Sequence, residues 1–121
     1  MNKKSDMKEK KYDLEERTFK FAQSCLKLVN NVKKTLANVE LSRQLIRASG
    51  SVGANYIEAN ESLSKKDFRY RIKICRKEAK ETGYWIRLLD LDKGLKEESQ
   101  ILIQESKELT NIFGSILQKV T

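Results

Sequence analysis

The chain has 121 residues, of which 39% are hydrophobic and 35% charged, with 25 Lys and Arg against 17 Asp and Glu, no His, no Pro, five Gly and two Cys. That length suits one domain, and the scarcity of Pro and Gly removes the punctuation a many-turned β protein needs at each reversal, which leaves helices as the default. Without His, neither Ser/His nor Cys/His nucleophile pairs nor Glu-x-x-His di-iron sites can be built, and two thiols cannot complete a four-ligand zinc site, so no catalytic residue, metal or cofactor is expected.

Residues 1–12, MNKKSDMKEKKY, carry five Lys against two acids and read as a flexible basic arm ahead of a domain over 13–121. Asp13 with Glu16 has the pattern of a capping box, which places a helix start there. From it Leu14, Thr18, Phe21, Cys25, Leu28 and Val32 follow at helical spacing, predicting a first helix over about 14–34. Thr35 to Asn38 is a short break that turns the chain back. A second helix is predicted over about 39–61, with Leu41, Leu45, Ala48, Val52, Asn55 and Ala59 inward. Gly50 and Gly53 cost this helix roughly 1 kcal/mol each in propensity, which close approach of a neighbouring backbone would offset.

Ser64 followed by Asp67 is a further N-cap pattern and opens a third helix over about 65–91. Phe68, Ile72, Cys75, Ala79, Thr82, Ile86 and Leu89 keep a four-three alternation that holds one seam toward a bundle partner. Beside this seam runs a basic row, Lys66, Arg69, Lys73, Arg76, Lys80 and Arg87, with Gly83 where another base would fall. On the other flank Ile74, Trp85 and Leu88 form a smaller apolar stripe, interrupted by Glu78 and Glu81, so the helix has more apolar surface than one neighbour covers. Asp92-Lys93-Gly94 supplies the last reversal. A fourth helix over about 96–119 turns Leu102, Leu109, Ile112, Phe113, Ile116 and Val120 inward. Four amphipathic helices joined by short turns make an all-α, antiparallel up-down-up-down four-helix bundle.

The segment over residues 44–89 resembles the four-helix bundle proteins encoded by intervening sequences in bacterial 23S ribosomal RNA genes, also called the S23 ribosomal protein family. The resemblance rests on Arg47-Ala48, Ser51, Asn55 and Glu58, and on Lys77-Glu78-Ala79, Glu81-Thr82, Tyr84-Trp85 and Leu88-Leu89. It departs where relatives often have Ala-Glu-Gly after Asn-Ile; Asn55-Tyr56-Ile57-Glu58-Ala59 here implies that the helix continues. The resemblance implies a homo-oligomeric ring, a homopentamer in particular. It further implies a relationship to the accessory protein of diversity-generating retroelements, a basic pentameric barrel that binds nucleic acid and a reverse transcriptase. It implies no reaction.

Charge is segregated along the chain: residues 64–88 hold nine bases against three acids, whereas residues 89–121 are net acidic. The basic row is therefore the candidate contact for RNA or DNA, because cations at helical spacing can track phosphates and release counterions; the alternative is a solvated face. A different class of function is a protein-protein adaptor whose basic face meets an acidic protein. Asn55 and Glu58 read as structural, Asn55 setting register on the inward row and Glu58 pairing with Arg71 or Arg47. Ile74, Trp85 and Leu88 read as an oligomer contact, although Trp85 with Tyr84 could instead stack on a base. Cys25 and Cys75 fall on apolar stripes and read as reduced core residues. No window approaches the roughly 20 apolar residues of a bilayer span, and the Lys-rich start lacks the apolar stretch of a secretory signal, so the expected location is the cytoplasm with no membrane partner.

Overall fold

The computed structural model describes the backbone over residues 3–120 and side chains from residue 14 to 120. Four helices follow one another, α1 (Lys3–Asn31), α2 (Leu36–Asn60), α3 (Lys65–Leu88) and α4 (Lys96–Lys119), with a single 3-10 turn at Lys93–Leu95 before α4. Cross-helix contacts give the directions. Thr18 meets Gly53 and Asn60 Nδ2 donates to Glu15 across α1 and α2, while Cys75 Sγ donates to the Val52 carbonyl and Arg71 Nη1 donates to Asn55 Oδ1 across α2 and α3. Gly83 meets Ser106, and Arg69 reaches Leu117, across α3 and α4. Rising numbers on one helix against falling numbers on the next make each pair antiparallel, giving an all-α four-helix bundle.

Local chemistry sets the helix ends. Thr35 is the N-cap of α2, its hydroxyl accepting from the Asn38 amide, so the residues expected to form a break in fact start the helix. Ser64 caps α3 as predicted and accepts from the Asp67 amide at 3.1 Å. α1 begins at Lys3 rather than at Asp13, because the Lys-rich run before Asp13 consists largely of good helix formers and can extend the helix. The expected mobile arm spans residues 1–12, of which the first two, and all the side chains, lie outside the described residues. α2 runs unbroken through Tyr56 and Ile57 to Asn60, the continuation that the missing glycine implied.

The core is built from Phe21, Leu28, Leu45, Val52, Ile72, Ile86, Leu109 and Phe113, all of them buried. The predicted seam of α3 holds from Ile72 to Leu89, with Phe68 half-buried at its start. In α2 the seam differs by one residue: Tyr56 is buried and packs on Phe113 with ring centroids 5.9 Å apart, whereas Asn55 lies at the flank, half-buried. Asn55 therefore does not set register inside the core. It donates to the Ser51 carbonyl and hydroxyl, and accepts from Arg71. In α4, Leu117 takes a core place, with Ile112 and Ile116 beside it half-buried.

Of the two glycines in α2, only Gly53 marks a close approach. A Cβ there would stand 3.0 Å from Thr18 Oγ1, whereas Gly50 faces open space. Gly83 performs the same service between α3 and α4, since a Cβ at that position would collide with the Ser106 hydroxyl. The gap in the basic row is thus a place where α4 packs close.

Asn38 is fully buried at one end of the bundle and ties three segments together. Its Nδ2 donates to the carbonyls of Lys33 and Asp90, and its Oδ1 accepts from the Asp90 amide, at 2.9 to 3.0 Å. Lys33 adds ion pairs to Asp90 and Asp92 across the same two turns.

Cys25 and Cys75 are free thiols with no exposed surface. Burial pushes each up to about 12. A thiol kept neutral in the fold but ionised in the unfolded chain lowers stability as pH rises past the unfolded value near 9, and the loss grows toward 12. Urea melts at pH 8 and pH 10 should show that fall, and Cys25→Ala with Cys75→Ala should flatten it. At pH 8 both thiols should react with a disulfide reagent only as fast as the fold opens.

Candidate functional site

The basic row of α3 borders a long groove between α3 and α4. At one end of the groove Arg69, Lys73 and Arg76 face Thr110, Asn111, Gly114, Ser115 and Gln118 across about 690 Å³. It continues past Thr110 and Asn111 into a second stretch of about 530 Å³, where Lys80, Tyr84 and Arg87 face Ile103, Ser106 and Lys107. No acid lines either stretch among the described residues. This follows from how α4 is patterned. Its acids Glu97, Glu105 and Glu108 point to the other side, into the cleft shared with α1, where Arg17 donates to Glu105 at 2.7 and 2.8 Å and to Glu108 at 3.1 Å. Those contacts hold the Arg17 guanidinium well above its ordinary value.

The six bases are not equivalent. Lys73, Arg76, Lys80 and Arg87 are exposed and, among the described residues, make no hydrogen bond or ion pair. Lys66 is exposed as well but stands at the start of α3, outside the groove lining. Arg69 is half-buried, and its Nη1 donates to the carbonyls of Leu117 and Val120 at the end of α4. These are carbonyls that a helix terminus leaves without intrahelical partners, so Arg69 caps α4 and complements its negative end. The sequence could not show this, since the cap and the helix it closes lie about 50 residues apart.

The acids of α3 are also accounted for. Glu78, read from the sequence as an interruption of an apolar stripe, is 4% exposed and is held by Arg47 at 3.2 Å, with Lys77 at 3.7 Å. Arg47 extends to Glu81 at 3.8 Å. The expected partners of Glu58 are thus taken: Arg47 serves α3, Arg71 serves Asn55 and lies 5.8 Å from the Tyr70 ring centroid, and Glu58 is exposed. Asp67 sits in the first turn of α3, where an acid complements the helix dipole.

The outer face of α2 and α3 carries the second apolar stripe. Ile74 and Trp85 are half-buried and Leu88 is 48% exposed, with Tyr70 exposed on the same face of α3. Trp85 Nε1 is buried with no hydrogen-bond partner among the described residues. The Trp85 ring stands edge-on to Tyr84, with centroids 5.1 Å apart. Among the described residues there is no cluster of His, Cys, Asp or Glu suited to a metal, and no helix is long and apolar enough to cross a membrane.

Residues 10–115 match the family described as 23S rRNA-intervening sequence protein. The fold is similar to the 1.70 Å crystal structure of a Bacteroides thetaiotaomicron protein of unknown function from the S23 ribosomal protein family. The TM-score is 0.73 at 29% identity, over 90% of this chain and 98% of that one. No protein of curated function matches significantly. A profile match over most of the chain, joined to a bundle shared along nearly its full length, makes this chain a member of the 23S rRNA-intervening sequence protein family.

Proposed function

We propose that this protein is a cytoplasmic, non-enzymatic nucleic-acid-binding bundle that works as a homo-oligomeric ring, a pentamer in particular, and engages RNA or DNA along the α3–α4 groove. The observation that carries the reading is the acid-free lining of a groove bordered by Lys73, Arg76, Lys80 and Arg87, on a protein whose α4 acids Glu97, Glu105 and Glu108 line the cleft with α1 instead. A field of one sign along a concave surface attracts a polyanion, and repetition in a ring multiplies a weak contact. The family name refers to 23S rRNA, which makes RNA the first probe to use. For the ring, the support is the outward stripe of Ile74, Trp85 and Leu88.

The test is retention of labelled RNA and DNA over a salt series. With Lys73, Arg76, Lys80, Arg87 and, across the groove, Lys107 contributing, log K against log salt should fall with a slope of about −3.5 for single strands. No retention at low salt would overturn the reading. Survival of captured partners after nuclease treatment would favour an acidic protein ligand instead. Light scattering tests the assembly: a mass several times 14.1 kDa is expected, and a clean monomer would remove the ring.

A further inference from the structure

Tyr84 interrupts the cationic lining at an informative place. It is 53% exposed and lines the second stretch of the groove with Lys80, Arg87, Lys107, Ile103 and Asn111. The row lacks a base at Gly83, and Lys107 lies across the groove at the same level, so cations stand on both sides of the phenol ring. Ile103 adds an apolar wall, and Asn111 offers an amide with both donors and an acceptor. Trp85 braces the ring edge-on from behind. An exposed aromatic face framed by cations, with an apolar wall and an amide beside it, matches the chemistry of an unstacked nucleobase with phosphates on either side.

We infer that the groove takes a single-stranded nucleic acid, with one base stacked on Tyr84 while Lys80, Arg87 and Lys107 hold the neighbouring phosphates. This rests on the proposed nucleic-acid function and narrows it. A duplex hides its base faces in the stack and shows its base edges only to an element that enters a groove. The α3–α4 surface is itself a groove, so it offers no protruding helix and can meet a duplex through phosphates alone. A single strand supplies both phosphates and an open base.

The experiment compares fluorescence anisotropy of a labelled single-stranded 20-mer, its duplex and an abasic strand of equal length, at one low salt concentration, on the full chain. Wild type should bind the single strand about tenfold or more tighter than the duplex or the abasic strand. Tyr84→Ala should lose about tenfold on the single strand and stay within about twofold on the duplex and abasic strand, while Tyr84→Phe keeps wild-type affinity. Because Trp85 is the sole tryptophan and touches Tyr84, its emission should change on addition of unlabelled single strand and change little with duplex. Equal binding of duplex and single strand, or an unchanged Tyr84→Ala, would overturn the stacking site and leave the basic groove standing. Retention of none of the three ligands would overturn the groove function along with it.

Discussion

Replacing Lys73, Arg76 and Lys80 together by Glu is expected to weaken nucleic-acid binding at low salt by about a hundredfold or more and to lower the salt slope by about 2. Each of these side chains is exposed and, among the described residues, holds no acid of its own chain, so reversal sacrifices no intramolecular ion pair. A unit charge near a phosphate is worth about 1 kcal/mol at 4 Å in water and more beside a low-dielectric wall. Three reversals exchange three attractions for three repulsions, and even with screening roughly halving the sum, some 3 kcal/mol remains. The matched control is Lys27, Lys34 and Arg43 changed to Glu. These exposed bases belong to the α1–α2 side, and their reversal alters net charge by the same amount. Equal losses in the two triple variants would mean that overall charge, and not the groove, attracts the ligand. Arg69 is kept out of the set because its guanidinium closes α4, so its reversal would mix binding with unfolding.

The largest effect expected on stability is at Asn38. Asn38→Ala removes two donated bonds and one accepted bond at a position without solvent, leaving the Lys33 and Asp90 carbonyls and the Asp90 amide short of partners. A buried group left without a partner costs about 1 to 3 kcal/mol and the cavity adds to it, but Lys33 and Asp90 are exposed residues, so water recovers part. A net loss of about 3 kcal/mol in urea unfolding is the expected value. Asn38→Asp should be at least as damaging despite its matching shape. Its carboxylate can still accept from Asp90 N–H, yet it loses both donors and sets a negative charge beside two carbonyls and near Asp90 and Asp92. Should Asn38→Ala unfold within about 0.5 kcal/mol of wild type, the cross-turn bonds would carry no weight.

What could be read in the sequence depended on how much one segment determines by itself. α3 was legible in its start and its phase, because a long seam of large apolar side chains admits one phase and Ser64 with Asp67 marks its start, while its end, expected near 91, falls at Leu88. In α2 the side chains between Ala48 and Ala54 are too small to fix a phase. The spacing consequently puts Asn55 on the inward row, where the structure buries Tyr56. The cap pattern at Asp13 was genuine as a pattern, but helix-favouring residues before it let α1 run on.

For the groove, the row of bases was visible and its surroundings were not. That Arg69 is spent on α4, that Glu78 is buried against Arg47, and that the acids of α4 turn toward α1 are all consequences of helix rotation and pairing. Spacing within α4 holds the signal for the last of these: Glu97, Glu105 and Glu108 lie on one side of the helical wheel, and Lys107, Asn111, Gly114 and Gln118 on another.

The fastening around Asn38 also makes the two poles of the bundle unlike. At one pole the α1–α2 and α3–α4 connections are stitched to each other by an amide and by the Lys33 ion pairs, while at the opposite pole the single α2–α3 turn carries Leu63 fully in solvent. Opening at the Asn38 pole therefore has to break those bonds together, whereas the other pole is held by separate ties, Asn60 to Glu15 and Arg69 to the end of α4.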